Sequence, residues 1–113
     1  MSTSAGRQAE EVAAEWLMNQ GYEIVDRNWR TKWCEIDIVA KKNQTLYFVE
    51  VKYRRTNAAG GGLSYITPGK LKQMAFAAEM WLSNQAERSD YELSAMSLGS
   101  NPPLVEDFIP ELT

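Results

Sequence analysis

The chain of 113 residues carries 15 acidic and 12 basic side chains, a net charge of −3, and 44% apolar residues. That length suits one domain with a true core, and the ordinary composition excludes collagenous, low-complexity and disordered classes. The chain holds no histidine, which removes His-based triads and His-containing zinc sites and leaves carboxylates, lysines, hydroxyls and hard metals for chemistry.

Residues 4–20 predict a helix with Gly21 as its stop. Ala9, Val12, Ala13, Trp16 and Leu17 recur at helical spacing as its apolar face. Glu11 and Glu15 point away from that face, whereas Glu10 falls on its edge, about 20° from Leu17 on a helical wheel. Residues 22–30 read as a short, edge-like strand. Residues 34–40 and 45–53 read as two more, joined by the polar turn Lys41-Lys42-Asn43-Gln44 of an antiparallel hairpin. Residues 54–66, with three glycines at 60–62, predict a mobile loop. Thr67 then caps a second helix with Pro68 in its first turn, and Leu71, Met74, Ala75, Ala78, Trp81 and Leu82 form its core stripe. Residues 91–98 predict a fourth strand and 104–109 a short fifth. The order predicts an α/β layer arrangement.

No apolar run approaches the roughly 20 residues of a membrane span, and the opening residues lead into a polar segment rather than a secretory signal. Lone Cys34 has no internal disulfide partner, so a reducing cytoplasm is the expected setting.

The middle strands carry charge where a buried strand should not. Glu35-Ile36-Asp37 lies in one and Glu50-Val51-Lys52 in the next. An uncompensated charge inside an apolar strand costs several kcal/mol or so. Alternation predicts one face for Glu35, Asp37 and Val39, and one for Leu46, Phe48, Glu50 and Lys52. Either Glu35 or Asp37 then falls opposite Glu50, according to register. Two opposed carboxylates repel, and Mg²⁺ between them reverses the sign. Such an ion lowers the pKa of a bound water and polarises a phosphoryl oxygen, while Lys52 stands beside the same spot to steer water or neutralise developing charge. The chemistry suited to these parts is phosphodiester hydrolysis.

The charge distribution agrees with a polyanionic partner. Residues 41–72 hold Lys41, Lys42, Lys52, Arg54, Arg55, Lys70 and Lys72 against Glu50 alone, a local charge of +6, while the flanking segments are acidic. Clustering matters more than the total for a nucleic-acid footprint.

Several short segments in order across nearly the whole chain carry a family resemblance. They are Gly6-Arg7-Gln8-Ala9-Glu10 with Ala13, Gly21-Tyr22, Asn28-Trp29-Arg30, Glu35-Ile36-Asp37-Ile38-Val39-Ala40, Phe48-Val49-Glu50-Val51-Lys52, and Thr67-Pro68 with Lys70. In these the chain resembles the YraN-like uncharacterised proteins, which are assigned to the restriction-endonuclease-like fold and the PD-(D/E)XK nuclease superfamily. The resemblance implies a single domain over residues 1–113, with a central mixed sheet of four to five strands flanked by helices. It implies Asp37 and Glu50 as ligands of Mg²⁺, with Mn²⁺ as a substitute, and Lys52 as the catalytic lysine. Glu10 is implied as an outer ligand and Lys70 as a backbone contact at the rim. Similarity to four-way-junction resolvases adds structured or branched DNA as a substrate by analogy. Ala9 and Cys34 stand where the family usually has glycine.

Three functions follow as expectations. The first is a Mg²⁺-dependent endonuclease acting on DNA. The second is a non-catalytic nucleic-acid-binding module using Lys41, Lys42, Arg54, Arg55, Lys70 and Lys72. The third is an interaction subunit, with Phe76 and Met80 on the second helix as a homodimer patch.

Overall fold

Alanines set the first helix close to its sheet, and a glycine ends it. In the computed structural model, which describes residues 4–55 and 63–113, α1 (Ser4–Asn19) buries Ala9, Ala13, Ala14 and Leu17. Gly21 lies at φ +94°. Its N–H donates to the Met18 carbonyl and that of Tyr22 to the Leu17 carbonyl, both at 3.0 Å. This double bond pattern satisfies the last helical carbonyls and requires a left-handed residue, which glycine adopts without steric penalty.

Three antiparallel strands follow: β1 (Glu23–Arg30), β2 (Glu35–Lys42) and β3 (Thr45–Tyr53). Asn43 and Gln44 join β2 to β3 with φ values of 51° and 69°. Two positive φ angles match the right-handed twist of a hairpin. The turn locks Lys42 opposite Thr45, and the ladder runs to Ile38 opposite Val49.

α2 (Pro68–Ser83) crosses over to β4 (Asp90–Gly99), which pairs parallel to β3, and β5 (Leu104–Ile109) closes the sheet antiparallel. A parallel neighbour needs such a crossover. Thr67 caps α2, its Oγ1 accepting from the Lys70 N–H at 3.1 Å. The architecture is a five-stranded mixed sheet in the order β1-β2-β3-β4-β5, flanked by two helices, as the restriction-endonuclease-like expectation requires. The loop expected over residues 54–66, with its glycines, lies largely outside the described residues.

Each face of the sheet carries one helix. Ile38, Ala40, Val49, Met96 and Leu98 pack with α1, while Ile36, Val39, Leu46, Phe48 and Leu93 pack with α2. Ala77 is buried in the α2 stripe, and Leu71 and Ala75 lie at its margin. β1 is tied to both helices. Arg27 pairs with Glu11 of α1 at 2.9 Å, and Asp26 accepts from Trp81 Nε1 of α2 at 2.9 Å.

Candidate functional site

The expected alternation fails at Asp37. Ile36 and Ile38, two residues apart, should share a face. Instead Ile38 packs under α1 and Ile36 under α2. Their β1 partners switch in the same way. Arg27, opposite Ile38, reaches α1, whereas Trp29, opposite Ile36, packs on the α2 side. Between them Asn28 adopts φ 52°, a left-handed conformation that asparagine tolerates better than most residues. The two strands therefore turn over together at Asn28 and Asp37.

The switch sets the Asp37 carboxylate toward β3. Continuing the hairpin register places Asp37 opposite Glu50, which resolves the choice the sequence left open, and Glu35 opposite Lys52. The β2–β3 ladder stops at Ile38 and Val49. The Val51 N–H, which an unbroken ladder would turn toward Ile36, donates to Asp37 Oδ2 at 2.8 Å. A side chain thus completes the ladder where the strands part, and the Val51 amide keeps a partner.

Acidic neighbours converge on that carboxylate. Burial, and next the charge of Glu50, push the Asp37 pKa from 3.8 up to about 7; Glu10 and Glu35 add to the rise, and the Val51 N–H opposes it. Each pressure favours the neutral form except the hydrogen bond, which favours the anion. Glu10 reaches the cluster from α1, and its Oε1 is buried without a hydrogen-bond partner. Glu35 is exposed and pairs with Arg30 at 3.3 Å.

The two lysines stand differently about the carboxylates. Lys70, expected at the rim, contacts Glu50 directly, Nζ to Oε2 at 3.1 Å. Lys52 is exposed on β3, with Nζ 5.8 Å from the Tyr65 ring centre. Tyr65 joins the site from the approach to α2. Its hydroxyl is buried without a partner, and burial, with the charges of Glu50 and Asp37, raises its pKa while Arg54 lowers it. An isolated tyrosine beside a helix cap has no periodic signature, so nothing in the sequence marks it. Arg54 is thereby placed at the site, with its N–H donating to the Leu98 carbonyl at 3.0 Å. Lys72 lines a cleft with Lys70, Glu50 and Glu35, and Arg55 is exposed just beyond β3.

The hairpin lysines do not join this cluster. Lys41 lies four residues from Asp37 along β2, about 13 Å at the usual rise. The Lys42 ammonium donates to the Gln20 carbonyl at 2.9 Å and sits 4.8 Å from the Tyr22 ring centre. Nor do Phe76 and Met80 form one patch. Phe76 is 52% exposed, but Met80 is half-buried, accepting from the Cys34 thiol at 3.7 Å.

The donors present fit a hard, hydrated cation. Among the described residues no three His, Cys, Asp or Glu side chains form a ready cage for an ion. Mg²⁺ needs none, because it keeps several waters and uses one or two carboxylates. The orphaned Glu10 oxygen and the Asp37 carboxylate held among acids would both be satisfied by a positive charge with donor waters.

The fold and site define a class: an α/β domain with carboxylates gathered where two central strands part. The chain belongs to the uncharacterised protein family UPF0102, whose profile matches residues 9–94. It is 42% identical over 85 residues to a UPF0102 protein of Chlorobium chlorochromatii, covering 75% of this chain and 66% of the relative. It is 38% identical over 88 residues to a UPF0102 protein of Vibrio campbellii, covering 78% and 71%. One from Anaeromyxobacter dehalogenans is 35% identical over 106 residues, covering 91% and 79%. The chain thus spans about two thirds of the length of the first of these relatives.

Proposed function

We propose that this domain is a divalent-metal-dependent nuclease that hydrolyses phosphodiester bonds of DNA, within the PD-(D/E)XK superfamily that its motifs resemble. The observation that carries the reading is the Asp37 carboxylate, half-buried and facing Glu50 at the parting of β2 and β3 with Glu10 beside it. A protein with no use for such a group would lose little by replacing it, since buried like charges destabilise a sheet.

Asp37 and Glu50 would hold Mg²⁺ or Mn²⁺. When bound, the ion supplies an acidified water and a polarised phosphoryl oxygen. The residues of the chain do the rest. The Val51 N–H fixes the Asp37 carboxylate in one orientation. Lys70, within reach of Glu50, positions a substrate phosphate oxygen and offsets charge that builds on it. Glu10 accepts a proton of a site water through its unpaired oxygen. Lys52, on the strand beyond Glu50, orients the attacking water and balances charge on the transition state.

A second reading rests on the Lys70–Glu50 ion pair, which neutralises one proposed ligand within the protein itself. On that reading the domain docks on nucleic acid without cutting. Cleavage assays on duplex, single-stranded and four-way-junction DNA, with Mg²⁺ and then Mn²⁺, separate the two. The nuclease reading predicts metal-dependent cutting that falls about 10²- to 10³-fold in Asp37→Ala, as expected when a catalytic electrostatic group is lost. DNA binding that Asp37→Ala leaves intact or tightens, with no cutting by wild type on any substrate, establishes the docking reading instead.

A further inference from the structure

The chain has twelve aromatic side chains, and only Trp33 and Phe76 are exposed. They are 66% and 52% exposed respectively. Both line one open cleft of ≈ 610 Å³, and the same cleft is lined by Glu50, Lys70 and Lys72. Two exposed aromatic faces therefore border the proposed phosphate site.

Neither aromatic is loosely placed. Trp33 sits in the short connection between β1 and β2, which Thr31 organises. The Thr31 hydroxyl accepts from the Trp33 and Cys34 N–H groups at 3.0 and 3.2 Å, and the Thr31 N–H donates to the Cys34 carbonyl at 2.8 Å. A hydroxyl that closes a turn in this way fixes the backbone that carries Trp33. Phe76 stands on the regular helix α2, one turn beyond Lys72 and on the same side. Burying either ring inside the protein would have been favourable, so their shared exposure beside lysines fits a partner with flat apolar faces and negative charge.

We infer that this cleft binds an unpaired nucleotide, its base stacked on Trp33 or Phe76 and its phosphate held by Lys70 and Lys72. The inference deepens the nuclease reading and rests on it. It names the substrate as nucleic acid with a single-stranded portion beside the scissile bond, such as a free strand, flap or fork, rather than continuous duplex. Bases inside a duplex hide their faces, whereas an unpaired base of any identity can stack on an aromatic ring. The charges around the cleft favour this occupant over a second copy of the chain. Glu50 and Glu35 are already paired with Lys70 and Arg30. No carboxylate among the described residues pairs with Lys72 or with Lys32, whose ammonium lies 4.8 Å from the Trp33 ring centre. A two-fold contact through this cleft would gather the unpaired cations of both copies into one interface.

Binding of fluorescein-labelled oligo-dT and of a duplex of equal length, measured by anisotropy in EDTA, tests the inference without turnover. Trp33→Ala and Phe76→Ala should each weaken single-strand binding about 5- to 100-fold, the range for losing one stacked base, and leave duplex affinity within about twofold. Trp33→Phe should retain most of the single-strand affinity. Unchanged single-strand affinity, or an equal loss on duplex, overturns the inference. So does a wild-type dimer in sedimentation that both alanine variants dissolve, because the patch is then a self-interface. Cleavage by the same proteins is read separately: selective stacking without turnover counts against the nuclease reading alone.

Discussion

At the scale of single residues, the proposed chemistry rests on a carboxylate held where it ionises with difficulty. Asp37 titrates at about 7 in the folded protein against an ordinary 3.8. Between those values the folded state keeps a proton that the unfolded state has released. Stability therefore falls as pH rises through that window, and levels off above about 7. In metal-free protein, Asp37→Asn should remove this slope and raise stability at pH 8 by about 2–4 kcal/mol, read from urea denaturation at pH 4, 6 and 8. Parallel pH profiles for wild type and variant would contradict the burial and charge assigned to Asp37. The sequence marked this residue, with Glu50 and Glu10, because charges stood in apolar segments. It did not show that Asp37 leaves the alternation of its strand, since that depends on a neighbouring strand turning over at Asn28. Nor did it show that Lys70 pairs with Glu50. Whether Lys70 or Lys52 meets Glu50 depends on how the α2 start seats against β3, which no local pattern encodes.

At the scale of elements, the site is assembled from pieces that need one another's caps and turns. The helix signals were legible in particular residues, namely Gly21 closing α1 and Thr67 with Pro68 opening α2. The Asn43-Gln44 turn fixed the β2–β3 register only once its two left-handed residues were seen, because Asn-Gln is not a distinctive turn dipeptide. Trp33 carries no such signal, because an isolated tryptophan in a connection reads the same whether it is buried or displayed. The N-cap bears directly on the site, since the Thr67 hydroxyl holds the N–H of Lys70. Thr67→Ala should cost about 1 kcal/mol in chemical denaturation. It should also weaken DNA binding more than its stability loss explains, by loosening the residue that pairs with Glu50. An unchanged DNA affinity would detach the cap from the site.

At the scale of the whole molecule, an acidic chain presents its cations unevenly. The +6 segment of residues 41–72 suggested one basic face, but the fold divides it. Arg54, Lys70 and Lys72 gather at the parting of β2 and β3, whereas Lys41 and Lys42 lie at the far end of the hairpin, Lys42 occupied by the Gln20 carbonyl. Phosphate contacts reveal themselves through salt. Lys72→Ala should reduce the slope of log affinity against log salt for DNA by about 1, and Lys41→Ala should leave it unchanged. Equal effects would place the footprint across the whole basic segment and away from the carboxylates.

The proposed metal site of Asp37 and Glu50 is tested by calorimetric titration of Mg²⁺ and Mn²⁺ at pH 7 in two buffers of different ionisation enthalpy. A carboxylate that titrates at about 7 must lose its proton to bind an ion. The account predicts saturable binding whose heat changes with the buffer, reporting a fraction of one proton released, and its loss in Asp37→Ala. Absence of binding, or binding that Asp37→Ala leaves unchanged, would contradict it.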